Sequence, residues 1–221
     1  MAASGKHRAA NTAKRTRSPR AEEDRRSELI AISAKLFREK GYDKTTVRDI
    51  SSAAGIQSGS WFYYFKTKHD ILAAAVEEGM RQALAQIEEI AGDKSPPREK
   101  FRKLVLTHLR TVLLPEQHFI PLLLYEWKSM GRPERKRVVA IKDRYEAIWD
   151  GVIAELDKSG DWAMPTRMDR LFLFGALNWT AQWYRAGERL TIEQLAERAV
   201  TFCLRTPEPG NVVSMPRKAR R

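Results

Sequence analysis

Apolar residues recur along this chain at steps of three and four, with no strand-like alternation of useful length and no internal repeat. Leu29, Ile32, Leu36 and Phe37 share one face of a helix that ends before Gly41. Leu72, Val76, Ala83, Ile87 and Ile90 mark a long helix closing near Gly92. Phe101, Leu104, Val105, His108 and Val112 line another, with Ser95 the expected N-cap and Pro96 the first helical residue. Pro115 to Pro121 interrupts the pattern, and a short helix is expected from Leu122 to Met130. From Val138, Ile141, Tyr145, Ile148, Val152 and Leu156 trace an amphipathic helix that stops at Gly160. Residues 168 to 185 differ, because Leu171 to Leu177 is apolar on every side, so that helix must be covered on more than one face. Ile192, Leu195, Ala199 and Phe202 form a last amphipathic face that can pair with it. The pattern implies an all-α fold of about nine helices.

The shortest helices carry the most information. Thr46 and Asp49 form a capping-box pattern, the helix they open stops at Gly55, and a second short helix spans about Ser58 to Phe65. Two short helices across a tight turn make a helix-turn-helix: the first packs inward through Val47, Ile50 and Ala54, and the second projects toward a DNA major groove. Ser58, Gly59 and Ser60 are small enough for close approach to phosphate at a helix N-terminus. Tyr63 and Tyr64 are placed to donate hydroxyl hydrogen bonds, and Lys68 sits near the same backbone. Trp61 and Phe65 are expected to fill the core.

Charge bears on the same question. The formal net charge is +12, from 40 Lys+Arg against 28 Asp+Glu. Residues 1–26 hold eight Lys/Arg and three Asp/Glu, and residues 205–221 hold five and one. Both segments lack helical apolar spacing and are expected to be disordered basic tails, with Lys14-Arg15-Thr16-Arg17 a candidate minor-groove arm. Such tails attract phosphate without reading sequence, which leaves a non-specific nucleic-acid-binding protein as a competing class; plain solvation is the other reading. The longest apolar run, Leu171 to Leu177, is far short of the roughly 18 to 20 residues a membrane span needs, and the polar N-terminus suggests no signal peptide. A single cysteine, Cys203, excludes an internal disulfide framework and fits the cytoplasm. His7, His69, His108 and His118 show no metal-ligand spacing, and there is no Gly-rich phosphate loop or Cys–His pair, so no enzyme, catalytic residue or metal site is expected.

Residues 27–72 resemble the DNA-binding domain of the TetR family. The resemblance rests on Phe37 through Gly41-Tyr42, Thr45 through Ile50, Ala53-Ala54-Gly55-Ile56, Gly59, the aromatic run 62 to 65 and Lys66-Thr67-Lys68. It implies phosphate contacts at Thr46, Tyr63, Tyr64 and Lys68, and base contacts at Arg48, Gln57, Ser58, Gly59, Ser60 and Phe62. Most members have tyrosine at the position of Phe62, so a hydroxyl contact is lost there and apolar contact, as with a thymine methyl, remains. It further implies that residues 73–204 form a helical ligand-binding and dimerisation domain whose last two helices build a four-helix bundle with a second subunit. That accounts for Leu171 to Leu177, and the two-fold symmetry matches a palindromic double-stranded operator. A monomer burying the same helix internally is the alternative.

Gly175 to Gly187 and Thr191 to Cys203 are similar to the C-terminal region of TetR-type repressors that respond to acyl-CoA in lipid, sterol and aromatic-acid catabolism. No cofactor is implied beyond such a small-molecule effector. A CoA thioester needs an apolar tunnel and several cations. Tyr125, Trp127, Trp149, Phe174, Trp179 and Trp183 are candidates for the tunnel; Arg132, Arg135, Lys136, Arg137, Lys142 and Arg144 are the nearby cations. Core and dimer packing is the competing reading of the aromatics, a solvated helix face that of the basic run, and a multidrug-sensing repressor of an efflux gene the competing function. His108 reads as a satisfied core histidine. Asn178 and Gln182, amides one turn apart in an apolar helix, must hydrogen-bond a partner helix or an effector.

Overall fold

A computed structural model of the chain describes residues 18–114, 119–162, 165–188 and 190–204. Helix starts are set by short polar side chains. Thr46 with Asp49, Thr67 with Asp70, Thr166 with Asp169 and Thr191 with Gln194 each close a reciprocal capping box. They open α2 (Val47–Ala53), α4 (Lys68–Gly92), α8 (Arg167–Trp183) and α9 (Ile192–Cys203). Each box satisfies two backbone N–H groups that the helix itself cannot. The other helices are α1 (Pro19–Lys40), α3 (Ser58–Tyr64), α5 (Pro97–Leu113), α6 (Phe119–Tyr125) and α7 (Arg132–Ser159), with a 3₁₀ turn at Trp127–Ser129. The described residues thus form nine α-helices and no strand, the all-α fold expected.

Four boundaries differ from the sequence reading. Residues 19–26, assigned there to a disordered tail, are the first turns of α1. Ser18 caps the amide of Ala21, Pro19 occupies the first helical position and Glu22 lies in the first turn, so the start is signalled by polar residues and not by apolar spacing. Arg25 then donates to the Ala54 carbonyl at 2.7 Å and Arg26 lies over the Phe65 ring, tying these turns to the next helices. Ser95 does not cap α5, because its hydroxyl donates to Asp93 at 2.6 Å, and Pro96 takes the cap position. The helix expected from Leu122 to Met130 is α6 plus the 3₁₀ turn; Pro121 lies in the first turn of α6, where a missing N–H costs nothing. Finally, α7 begins at Arg132, through polar turns that carry no apolar signal. The remaining tail residues, with the Lys14-Arg15-Thr16-Arg17 arm, His7 and His118, lie outside the described residues.

Leu29, Ile30, Phe37, Ile50, Trp61 and Phe65 build a small core from α1, α2, α3 and the loop after α3, closed by Ile71 and Leu72 at the start of α4. The same helix continues along α5, α6 and α7, where Val76, Leu84 and Ile87 carry the core without a break to Phe101, Leu104, Leu109, Trp149 and Leu156. Helix α8 is covered on one face only within the chain: Leu173 and Leu177 are buried, whereas Phe172 is 70% and Trp179 66% exposed. On α9 Phe202 is 72% exposed.

One glycine fixes how closely α6 approaches α4. A Cβ at Gly79 would lie 2.1 Å from the Cβ of Phe119, whereas one at Gly151, also inside a helix, meets nothing within 4 Å. Gly79→Ala should lower unfolding stability by about 1–3 kcal/mol through overpacking. Gly151→Ala should raise it by roughly 0.5–1 kcal/mol through helix propensity. Urea unfolding of both variants at one fixed protein concentration checks the opposite signs.

Candidate nucleic-acid interface and effector cavity

The α2–α3 turn runs through Gly55 at φ 63°, a left-handed conformation that a side chain would strain, and the Ile56 amide closes it on the Ser51 carbonyl at 2.9 Å. Trp61 is the buried residue of α3 and Tyr64 is partly buried against the same core, so the other residues of the helix face outward. Arg48, Gln57, Ser58, Gly59 and Ser60 are exposed, as are Phe62 (63%) and Tyr63 (70%). The aromatic pair expected in the core, Trp61 and Phe65, is there.

The surrounding groups hold this face in place. The Thr46 hydroxyl accepts from the Asp49 amide at 3.1 Å and donates to the Asp49 carboxylate at 2.7 Å. The Thr46 backbone N–H, which donates to the same carboxylate at 2.8 Å, and then the Thr46 hydroxyl pull the Asp49 carboxyl down to about 2. Tyr63 donates to Glu22 of α1 at 2.9 Å, and Tyr64 is half-buried edge-on to Tyr63. Lys68 is half-buried: its ammonium donates to the carbonyls of Tyr42 at 2.9 Å and Thr45 at 3.1 Å, 4.1 Å from the Tyr42 ring centroid. In this structure it pins the loop before α2, and so the position of Thr46, instead of pointing toward a phosphate.

A cavity of about 420 Å³ opens between α4, α5, α6, α7 and α8. Its walls are mostly apolar, with Met80, Ala83, Ile120, Leu123 and Leu124 beside Trp127 and Phe174. Polar tips come from His108, Tyr145 and Asn178. The two His108 ring nitrogens lie 3.0 Å from the Tyr145 hydroxyl and 3.1 Å from Asn178 Oδ1. At one side Glu146 meets Lys142, and the buried Arg170 lies 2.7 Å from Glu146 and 2.6 Å from Asp150. Burial opposes ionisation of Glu146, yet Lys142 and Arg170 outweigh it and hold the carboxyl below its ordinary range.

Of the expected effector contacts, Trp127, Phe174 and Asn178 line this cavity. Trp149 stands behind them, its ring 5.1 Å from Phe174 and 5.9 Å from His108. Tyr125 and Gln182 bond to each other at 2.6 Å and Tyr125 borders a different cleft, so the Gln182 amide is satisfied by a partner helix. Trp179 and Trp183 are on the outer face of α8. Arg144 is exposed and paired with Glu88 at 2.7 Å. The basic run does not converge: Arg135 caps carbonyls of Lys128 and Met130, Arg137 pairs with Glu77, and Lys142 with Glu146. Most of the run is a solvated, paired helix face, whereas Lys142 also lines the cavity. His108 is hydrogen-bonded as a core residue should be, but it also faces the cavity with Tyr145; the signal was two polar tips on otherwise apolar helix faces. Among the described residues no group of His, Cys, Asp and Glu could hold a metal ion, and no helix is long and apolar enough to cross a membrane.

Residues 29–75 match the family described as bacterial regulatory proteins, tetR family, and residues 94–206 match the tetracyclin repressor-like C-terminal domain. The chain is 26% identical to the HTH-type transcriptional repressor KstR2 of Mycobacterium tuberculosis, over 81% of this chain and 91% of that protein. It is 26% identical to the fatty acid metabolism regulator protein of Bacillus subtilis, over 69% and 79%. Among solved structures, that of the superantigen PfiT superposes with a TM-score of 0.73 at 38% identity, covering 84% of this chain and 98% of that one.

Burial lowers the His108 pKa from 6.5 to about 4, against a smaller opposing effect of the Asn178 bond. The unfolded chain therefore binds a proton between these values that the folded chain does not. Stability is insensitive to this group above pH 6.5 and falls as the pH drops toward 4. At about 1.4 kcal/mol per unit the loss approaches roughly 3 kcal/mol. Melting temperatures from pH 7.5 to 4.5 should show a steeper decline for the wild type than for His108→Gln.

Proposed function

The chain belongs to the TetR family of bacterial transcriptional regulators, and we propose that it is a repressor that binds a palindromic operator as a dimer and releases it when a small hydrophobic effector enters the cavity. The observation that carries this reading is the double role of α4. Ile71 and Leu72, in its first turns, are buried in the helix-turn-helix core, and Met80 and Ala83, three turns on, line the cavity. A ligand that shifts the cavity wall therefore shifts the base of the reading head. Two recognition helices in a dimer must sit about one DNA turn apart, roughly 34 Å. An effector favouring another separation by a coupling of about 1–3 kcal/mol suffices to weaken operator binding severalfold or more.

DNA contacts are proposed at Thr46, Arg48, Gln57, Ser58, Gly59, Ser60, Phe62, Tyr63 and Tyr64, with Lys68 acting through the loop it holds. The apolar outer face of α8 and α9, with Phe172, Trp179, Trp183 and Phe202, supports a four-helix dimer interface. For the effector, the name of the Bacillus relative and the apolar walls favour an acyl group, carried on CoA whose phosphates would lie outside the cavity. A sensor of cationic drugs needs an open carboxylate, and Glu146 is already held by Lys142 and Arg170, which disfavours that second reading.

In a gel-shift titration against the DNA upstream of its own gene, the protein should bind specifically as a dimer at moderate salt, and absence of binding would sink the repressor reading. Arg48→Ala and Gln57→Ala should each weaken specific binding by about 1–3 kcal/mol and leave non-specific binding intact. Removing residues 1–17 and 205–221 should reduce the salt dependence while sequence preference persists. Trp179→Glu should shift sedimentation from dimer toward monomer and abolish the specific complex.

A further inference from the structure

The cavity's hydrogen bonds have a direction. Burial keeps the His108 ring neutral, so it carries one proton. Asn178 Oδ1 only accepts, so that proton sits on Nε2, and Nδ1 must accept from the Tyr145 hydroxyl. The Tyr145 proton is thereby turned away from the cavity, and the Thr111 hydroxyl likewise donates to the Thr107 carbonyl at 2.8 Å. The side-chain NH₂ of Asn178 is left facing the cavity with no hydrogen-bond partner among the described residues. These two N–H donors are open to the cavity, and a ligand that displaces water from them without accepting in its place leaves them unmet at a cost in free energy. The charges nearby are already paired, Lys142 and Arg170 with Glu146 and Arg170 also with Asp150.

We propose that Asn178 selects effectors bearing an uncharged carbonyl oxygen, the acyl carbonyl of a thioester or the carbonyl of a ketone, and that this oxygen accepts from the Asn178 amide while the apolar chain runs along Met80, Ile120 and Leu123. A carboxylate is disfavoured because its charge would lose water while the Lys142 ammonium on the cavity wall is already paired with Glu146. His108 is a positioning residue: by binding Oδ1 it fixes which end of the amide meets the ligand. The inference deepens the effector reading above and rests on it only for the choice of CoA as carrier.

Two isosteric pairs test it on the full chain by tryptophan fluorescence and thermal shift: 2-heptanone against 2-methyl-1-heptene, and hexanoyl-CoA against S-hexyl-CoA, each pair differing at the carbonyl. The ketone and the thioester should bind the wild type at least about tenfold more tightly than their partners. Asn178→Leu should abolish the preference, and so should Asn178→Asp, which retains an acceptor for His108. Equal or tighter binding of the carbonyl-free compounds to the wild type overturns the inference, whether or not the variants fold, and leaves the acyl-CoA reading standing. Preference for the ketone with no binding of either CoA compound does the reverse. Failure of all four to bind overturns both.

Discussion

Glu77 sits midway along α4, and its side chain is nearly buried. An unpaired carboxylate there would cost on the order of several kcal/mol, so the position exists only because cations reach it. Arg81 supplies one from the next turn at 3.0 Å, and Arg137 supplies the other from α7 at 2.7 Å. This pairing lies where α4 passes from the helix-turn-helix part of the core to the part packed by α5, α6 and α7. Toward its start the helix completes the small core around Ile50 and Trp61; toward its end it is packed by α5, α6 and α7. The fold has no other helix shared so fully between the two among the described residues. Helix α1 adds a second connection, packing on α6 at the cavity wall and reaching the Leu114 carbonyl through Arg38.

What the sequence revealed and what it concealed divide along a physical line. The capping box at Thr46, the turn at Gly55 and the apolar stripe of α7 are local signals, decided by residues within one or two turns, and each lies where it was expected. The first turns of α1 and of α7 were missed because they are polar helices held by distant partners, Arg25 on Ala54 in one case and Arg137 on Glu77 in the other. Spacing alone does not register such contacts. The cavity shows the same limit: Trp127, Trp149, Trp179 and Trp183 look alike as apolar helical residues, yet one lines the cavity, one backs it and two face outward. Rotation of a helix between a core face and a partner face is settled by packing of other helices. Lys68 is a further case, since three loop carbonyls claim an ammonium that the motif alone would place on a phosphate.

The polar contents of the cavity constrain its ligand more than its volume does. Apolar walls accept many chains of the right length, and burial of each methylene contributes only about 0.8 kcal/mol. A single amide with a fixed direction discriminates more sharply, because a ligand that fails to pair with it leaves a buried donor unmet. The direction is inherited from His108, whose neutrality follows from burial, and from Tyr145, whose hydroxyl burial keeps protonated.

Coupling between cavity and DNA also has a natural energy scale. Contacts such as Leu72 and Ile87 bury whole side chains and do not rearrange cheaply. The ion pair of Arg144 on α7 with Glu88 on α4 is different, since both partners are about half exposed or more and such pairs contribute about 0–1 kcal/mol. A typical allosteric coupling is about 1–3 kcal/mol, so redistributing two or three contacts of this soft kind is enough to change the tilt of α4. The hard contacts keep the core intact through that change. Apolar burial therefore holds the helices together, and the half-exposed charge pairs between α4 and α7 are the contacts that yield at least cost.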